Sequence, residues 1–163
     1  MNFEKYTERA RGFVQAAQNL AMREGHPQLQ PGHLLKVLLD DPEGLCAGLI
    51  DRAGGQSRVA LAQTEQWLAK QPKVEGQGAG QIYMAPETAR LFDQAEAIAE
   101  KAGDSFVTVE RMLMALALAK GTEAAAALAN PGMSSWAALT ERARFRQSDR
   151  YGALWIFGVR GSF

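Results

Sequence analysis

Two histidines and one cysteine are the residues of this chain whose types suit metal binding or nucleophilic catalysis. His26 and His33 stand seven positions apart across a helix break, and Cys46 follows further along the chain. A structural zinc site uses four ligands at short, paired spacings, so these three residues predict no metal centre. Cys46, between apolar neighbours in a short helix, is interpreted as a small buried hydrophobe. The sequence shows no recognisable pattern of a Ser-His-Asp catalytic triad.

A glycine-rich stretch, Gly-Gln-Gly-Ala-Gly, spans residues 76–80. A phosphate-binding loop of the type G-x-x-x-x-G-K-[ST] needs a preceding strand and a final Lys-Ser or Lys-Thr pair, and both are missing here. We therefore interpret the stretch as a linker, because glycine opposes both helix and strand on entropic grounds. Since no set of residues for catalysis, metal binding or nucleotide binding is present, we predict that the chain is not an enzyme and that it uses no cofactor.

Composition and charge are those of an ordinary soluble globular protein of about one domain. The chain has 163 residues, of which 47% are hydrophobic, and 18 Lys and Arg balance 18 Asp and Glu. This balance argues against nucleic acid or an anionic membrane as a partner. One cysteine cannot build a disulfide framework, and no signal peptide or membrane-spanning run is visible. We therefore predict a cytoplasmic location.

Apolar residues recur at helical spacing in both halves of the chain, while no convincing strand alternation precedes residue 150. A stripe in the first half predicts a long amphipathic helix that ends at Gly25, and Pro31 is typical of the first residue of the next helix. The helical rhythm resumes after the linker, where Gly103 ends a helix and Thr108 caps another. The first stripe comprises Tyr6, Ala10, Phe13, Ala17 and Leu20.

The two halves repeat each other at a shift of 78 residues, which superimposes Gly25 on Gly103. This pattern predicts an all-α fold of two pseudo-repeated four-helix lobes packed as one body, with two unrelated helical hairpins as the alternative. Other matched pairs are Phe13 with Leu91, Ala17 with Ala95, Leu35 with Leu113 and Ile50 with Leu128. The predicted boundaries are 1–71 for the first repeat, 72–82 for the linker, 83–143 for the second repeat and 144–163 for a tail.

Several motifs resemble the N-terminal Clp repeats of the ClpB family of disaggregases. They are TERA at 7–10, EGH at 24–26, PGHLL at 31–35, DPEG at 41–44 and KAGDSFV at 101–107 with Glu110. Residues 71–76 and 83–90 are similar to ClpB rather than to the protease-linked Clp proteins. The resemblance covers residues 1 to about 140 and implies the same fold of two four-helix lobes.

The resemblance also implies a function and a set of partners. Such a domain sits above the ATPase modules of a hexameric ring and uses an apolar groove to capture unfolded or aggregated protein clients for threading. The chain would then be a chaperone component in protein disaggregation and the stress response. Two alternatives stay open, namely docking of a folded adaptor protein, as in protease-linked relatives, and a structural piece that oligomerises through its tail.

The family's polar client-binding positions match Thr7, Asp104 and Glu110. Each also has an ordinary structural reading, because Thr7 suits a helix N-cap, Asp104 a turn, and Glu110 the first turn of a helix. Their assignment to client binding therefore depends on the resemblance alone.

Apolar side chains outside the main helical stripes are the candidates for the groove itself. Phe3 and Tyr6 precede the first stripe, and Phe106 and Val107 lie in a loop. Aromatic residues in loops indicate either burial between the lobes or a client surface. Adaptable side chains suit a groove that accepts many sequences, and these are Met84, Met112 and Met114. Arg111 stands where relatives are expected to have an apolar groove residue.

The last residues differ from the rest of the chain in composition. Residues 133–163 contain five of the twelve arginines, no lysine and six of the thirteen aromatic residues. One hypothesis is a reading-frame change or a cloning scar that ends a longer protein early. The rival hypothesis is a free-standing paralogue in which Trp155-Ile156-Phe157 packs on the body or joins two copies.

Overall fold

The computed structural model describes residues 2–76 and 80–129, which contain seven α-helices, one short 3-10 helix (Phe3–Lys5) and two very short strands. This confirms the predicted all-α class, and none of these helices is long and apolar enough to cross a bilayer. The helices are α1 (Glu8–Arg23), α2 (Pro31–Leu39), α3 (Leu45–Arg52), α4 (Ser57–Ala69), α5 (Pro86–Lys101), α6 (Val109–Leu118) and α7 (Glu123–Leu128). The strands are β1 (Gln28–Leu29) and β2 (Tyr83–Met84).

The internal repeat holds at the level of individual helix ends. Adding 78 to the first residue of α1, α2 and α3 gives the first residue of α5, α6 and α7, and α1 and α5 both have 16 residues. Both α1 and α5 are followed by a glycine in the left-handed region, Gly25 at φ 71° and Gly103 at φ 76°. A counterpart of α4 and the predicted tail would fall outside the described residues.

Each repeat pairs its entry segment with the first loop of the other repeat. In one place β1 and β2 run parallel with Leu29 opposite Met84, and in the other Tyr6 forms a parallel bridge with Val107. The shift of 78 residues maps Tyr6 onto Met84 and Leu29 onto Val107, so the two pairings are counterparts. Sequence reasoning missed these strands because two residues are too few to show alternation.

A single core joins the two repeats, and helix α2 lies at its centre. This helix contacts α1, α3 and α4 of its own repeat and α5, α6 and α7 of the other. Seven of its nine residues are buried. The two predicted lobes are therefore packed as one body. The largest fully buried side chains of the described residues are Tyr6, Leu29, Leu34, Leu35, Leu38, Leu49, Ile50, Leu91, Phe92, Met112, Leu113 and Leu116.

The packing of α4 on α2 requires glycine at position 32. A Cβ atom placed on Gly32 would lie 2.6 and 2.8 Å from two ring carbons of Trp67, which is closer than carbon atoms pack. Gly12 lies within α1, and a Cβ atom placed on it would by contrast have no packing neighbour within 4 Å among the described residues. The two glycines thus provide a matched comparison.

We expect Gly32→Ala to lower the free energy of unfolding by about 1 to 2 kcal/mol, because the Trp67 ring must move away from α2. Gly12→Ala should raise it by about 0.5 to 1 kcal/mol, because alanine loses less backbone entropy in a helix. Urea denaturation followed by circular dichroism measures both changes. Equal stability of the two variants would contradict the close contact.

Candidate functional site

An ion pair lies where α5 passes into α6. The guanidinium Nε of Arg111 donates a hydrogen bond to the carboxylate Oδ2 of Asp104 over 2.7 Å. Their side chains are only 6% and 13% exposed, respectively. Asp104 directly follows Gly103, and Arg111 is the third residue of α6. The pair therefore holds the end of α5 and the start of α6 together at the turn of the α5–α6 hairpin. Asp104 is thus more than a turn residue, because it neutralises a buried cation.

Thr7 lies beside this hairpin and caps α1. Its hydroxyl oxygen accepts a hydrogen bond from the Ala10 amide over 3.1 Å, and its own amide donates to the carbonyl of Val107 over 3.0 Å. The structural reading of Thr7 as an N-cap is therefore confirmed. Its backbone also ties the start of the first repeat to the loop between α5 and α6.

Tyr6 and Val107, which were predicted to contact clients, are buried. Their exposed fractions are 1% and 2%, and the Tyr6 hydroxyl donates to the carbonyl of Phe92 over 3.3 Å. Burial also raises the pKa of Tyr6, so this hydroxyl stays protonated. Phe3 is partly buried and its ring packs against those of Tyr6 and Phe92. Three of the four apolar residues predicted for the groove, Phe3, Tyr6 and Val107, are thus packed between the repeats.

Phe106 and Glu110 remain at the surface of the same region. Phe106 is 53% exposed, next to buried Val107. Glu110 is partly exposed in the first turn of α6, where the helix dipole favours a carboxylate. The structure therefore brings Thr7, Asp104, Glu110 and Phe106 to the α5–α6 loop and the adjoining start of α1. Their role in client binding stays a prediction.

A cleft opens at the opposite end of the same hairpin. Its volume is about 230 Å³, and it lies between the first half of α5 and the end of α6. A second cleft of about 160 Å³ adjoins it and shares Glu87 and Thr122 with it. The α5–α6 cleft, as we call the first one, is lined by Glu87, Arg90, Leu91, Gln94, Ala115, Leu118, Ala119, Lys120 and Thr122.

One face of α6 runs from the predicted polar residues to this cleft. Glu110, Met114 and Leu118 follow each other at intervals of four, which places them on one side of the helix, and none of them is buried. Eight residues of helix span about 12 Å, which is the distance between the two ends of this face. Leu118 is 44% exposed at the cleft. Sequence reasoning proposed neither Leu118 nor any other cleft residue for client binding.

The two histidines meet inside the first repeat, although they were not expected to act together. Nδ1 of His26 lies 2.8 Å from Nε2 of His33, and both rings are buried. Within residues 2–76 and 80–129, no three His, Cys, Asp or Glu residues are grouped so that they could hold a metal ion. Cys46 is buried, as predicted. Burial lowers the pKa of His33 to about 4, so its ring is neutral near pH 7.

The histidine pair and the ion pair occupy equivalent places in the two repeats. A shift of 78 residues maps His26 onto Asp104 and His33 onto Arg111. In each repeat the residue after the left-handed glycine thus contacts the third residue of the second helix. The same shift applied to the sequence would have revealed this correspondence.

Comparison with known proteins places the described part of the chain in one family. The family model of the Clp repeat (R) N-terminal domain matches residues 5–130. The chaperone protein ClpB of Rhodopseudomonas palustris is 66% identical over 134 residues, which are 82% of this chain and 15% of that protein. The chaperone protein ClpB of Mesorhizobium japonicum is 53% identical over 137 residues, which are 84% of this chain and 16% of that protein. The chain thus spans about one sixth of the length of these relatives.

Solved structures show the same fold at low sequence identity. The N-terminal domain of Hsp104 from Candida albicans matches with a TM-score of 0.73 at 22% identity, over 88% of this chain and 93% of that one. The N-terminal domain of the ClpV1 ATPase from enteroaggregative Escherichia coli (EAEC) matches with a TM-score of 0.68 at 20% identity, over 85% and 83%. The predicted double-repeat helical fold is therefore confirmed.

We expect Asp104→Asn to lower the free energy of unfolding by about 3 kcal/mol, because it leaves the buried Arg111 guanidinium without its counter-charge. The double variant Asp104→Asn with Arg111→Met should regain most of that loss. Thermal unfolding of the two variants beside the unaltered protein measures the effect. A double variant as unstable as Asp104→Asn alone would contradict the role of the ion pair.

Proposed function

This chain belongs to the family of Clp repeat (R) N-terminal domains and corresponds to the N-terminal domain of ClpB chaperones, and from this premise we propose that it captures unfolded or aggregated polypeptides. In this proposal the chain is a binding module and not an enzyme. The captured clients pass to the ATPase modules of a hexameric ring in the cytoplasm, as part of protein disaggregation under stress.

The observation that carries the proposal is the surface of the α5–α6 hairpin. It combines the exposed face of α6 with the α5–α6 cleft, where Leu118 supplies exposed apolar surface between charged side chains and Leu91 and Ala115 form the buried floor. An extended polypeptide can lay apolar side chains along such a groove without any requirement for one sequence. Met114, midway along the face, has an unbranched side chain that adapts to different neighbours.

The polar residues at the other end of the groove position it. Asp104 and Arg111 close the hairpin, and Thr7 fixes the start of α1 to the α5–α6 loop. Phe106 adds an exposed aromatic ring beside them. We infer that these residues shape the end of the client site and that clients contact Phe106 and Glu110 there.

We expect Leu118→Ser to weaken the binding of an unfolded protein about fivefold. Leu118 is 44% exposed, so a client that covers it removes about half of a leucine side chain from water, which is worth about 1 kcal/mol. Met22→Ser, at the end of α1, is the matched control because Met22 is 49% exposed and lies outside the cleft. Fluorescence anisotropy with dye-labelled casein measures the affinities.

The control variant should bind casein as the unaltered protein does. Equal affinities of all three proteins would remove the groove from the proposal, and absence of casein binding by the unaltered protein would refute client capture. Backbone NMR shifts on casein addition around Thr7, Asp104 and Glu110 test the other end of the groove. A folded adaptor that binds stoichiometrically while casein does not would favour the adaptor alternative.

A further inference from the structure

The buried histidine pair of the first repeat has a hydrogen-bond pattern that only neutral rings satisfy. Only 3% of His26 and 0% of His33 is exposed. The backbone N–H of Gln30 donates to Nδ1 of His33 over 2.9 Å, so this nitrogen must be an acceptor. The proton of His33 therefore lies on Nε2, from which it is donated to Nδ1 of His26 over 2.8 Å. By the same logic the proton of His26 lies on its Nε2.

These consecutive hydrogen bonds leave no ring nitrogen that can take up another proton without the loss of a hydrogen bond. A proton on Nδ1 of His33 would face the Gln30 N–H, and a proton on Nδ1 of His26 would face the N–H of His33. The remaining nitrogen, Nε2 of His26, already carries its proton. Each protonation therefore breaks one hydrogen bond and places a charge in a buried site.

The charged groups around the pair do not compensate for this cost. Burial is the largest influence and lowers the pKa of His26, Lys73 lowers it further, and Glu24 and the Leu68 backbone raise it. For His33, burial lowers the pKa to about 4, and the neighbouring His26 ring adds to that effect. The equivalent pair of the second repeat, Asp104 with Arg111, is already charged and mutually neutralised.

His26 also lies between two residues whose carbonyls anchor the connection between the repeats. The carbonyl of Gly25 accepts a hydrogen bond from the Val74 amide over 2.8 Å, and the carbonyl of Pro27 accepts one from the Tyr83 amide over 3.0 Å. Both anchors therefore depend on the backbone on either side of the same ring. A shift of the backbone at His26 displaces both carbonyls, because Gly25 and Pro27 are its neighbours in the chain.

We propose that the His26–His33 pair is a proton-sensitive latch, which holds both anchors of the inter-repeat connection at neutral pH and releases them in acid. An opened histidine binds a proton with a pKa near 6.5, whereas closed His33 binds one only near pH 4. The closed pair therefore has its full stability relative to the opened pair above pH 6.5, and it loses this stability as the pH falls towards 4. His33 alone raises the fraction of opened molecules about 30-fold between pH 8 and pH 5.

Amide hydrogen exchange, expressed as protection factors so that the intrinsic pH effect cancels, tests the latch in the full chain. Protection of the Val74 and Tyr83 amides should fall about 30-fold between pH 8 and pH 5. The amides of Thr7 and Val107 are the control, because they form the equivalent pairing beside the ion pair of the second repeat. An equal fall at all four amides would show general acid destabilisation and would overturn the latch.

A double variant transfers the ion pair into the first repeat. His26→Asp with His33→Arg copies the second repeat and should abolish the pH dependence at Val74 and Tyr83. The nitrogen NMR spectrum of the two histidines in the unaltered protein provides a test that needs no variant. It should show both protons on Nε2 at pH 7.5, and a native-state titration of His33 near pH 6.5 would refute the proposal.

Discussion

The exchange of short strands between the repeats is the constraint on which the rest of this structure depends. Leu29 of the first repeat pairs with Met84 of the second, and Val107 of the second pairs with Tyr6 of the first. Each pairing fixes the N-terminus of a long helix, because the paired residues Tyr6 and Met84 are directly followed by Thr7 and Ala85, the N-cap residues of α1 and α5. The first helix of each repeat is therefore positioned by contacts with the other repeat, and α2, which contacts helices of both repeats, lies at the centre of the shared core.

Duplication has left equivalent positions that carry different chemistry. In the second repeat Asp104 and Arg111 form a charged pair, which attracts strongly in a nearly dry site and closes the hairpin that bears the groove. In the first repeat His26 and His33 form a neutral pair, which holds only while both rings lack an extra proton. The same backbone geometry thus supports a permanent clamp in one repeat and a contact that depends on protonation in the other.

Much of the fold could be predicted from the sequence, since apolar spacing and the positions of Gly25 and Gly103 mark helix faces and helix ends. The strand exchange could not, because a two-residue strand leaves no pattern. For the same reason the sequence leaves open whether Tyr6, a candidate for client binding, is instead buried between the lobes, and its pairing with Val107 buries it. The α5–α6 cleft could not be predicted from the sequence either, because the exposure of the Leu118 side chain depends on how α7 and the end of α6 pack.

In the function proposed for this chain, capture of a client has to be compatible with its release, and the surface of the α5–α6 hairpin suits both. Its apolar surface is limited to a few side chains such as Met114 and Leu118, with charged neighbours, so each contact contributes little free energy. A flexible client loses conformational entropy when it binds, and this loss offsets part of that gain. The proposal therefore implies a modest affinity for one domain, and a ring with several copies would bind one aggregate more strongly through simultaneous contacts. In the proposed function, ATPase modules that pull on a client would break these contacts one domain at a time, each against a small barrier.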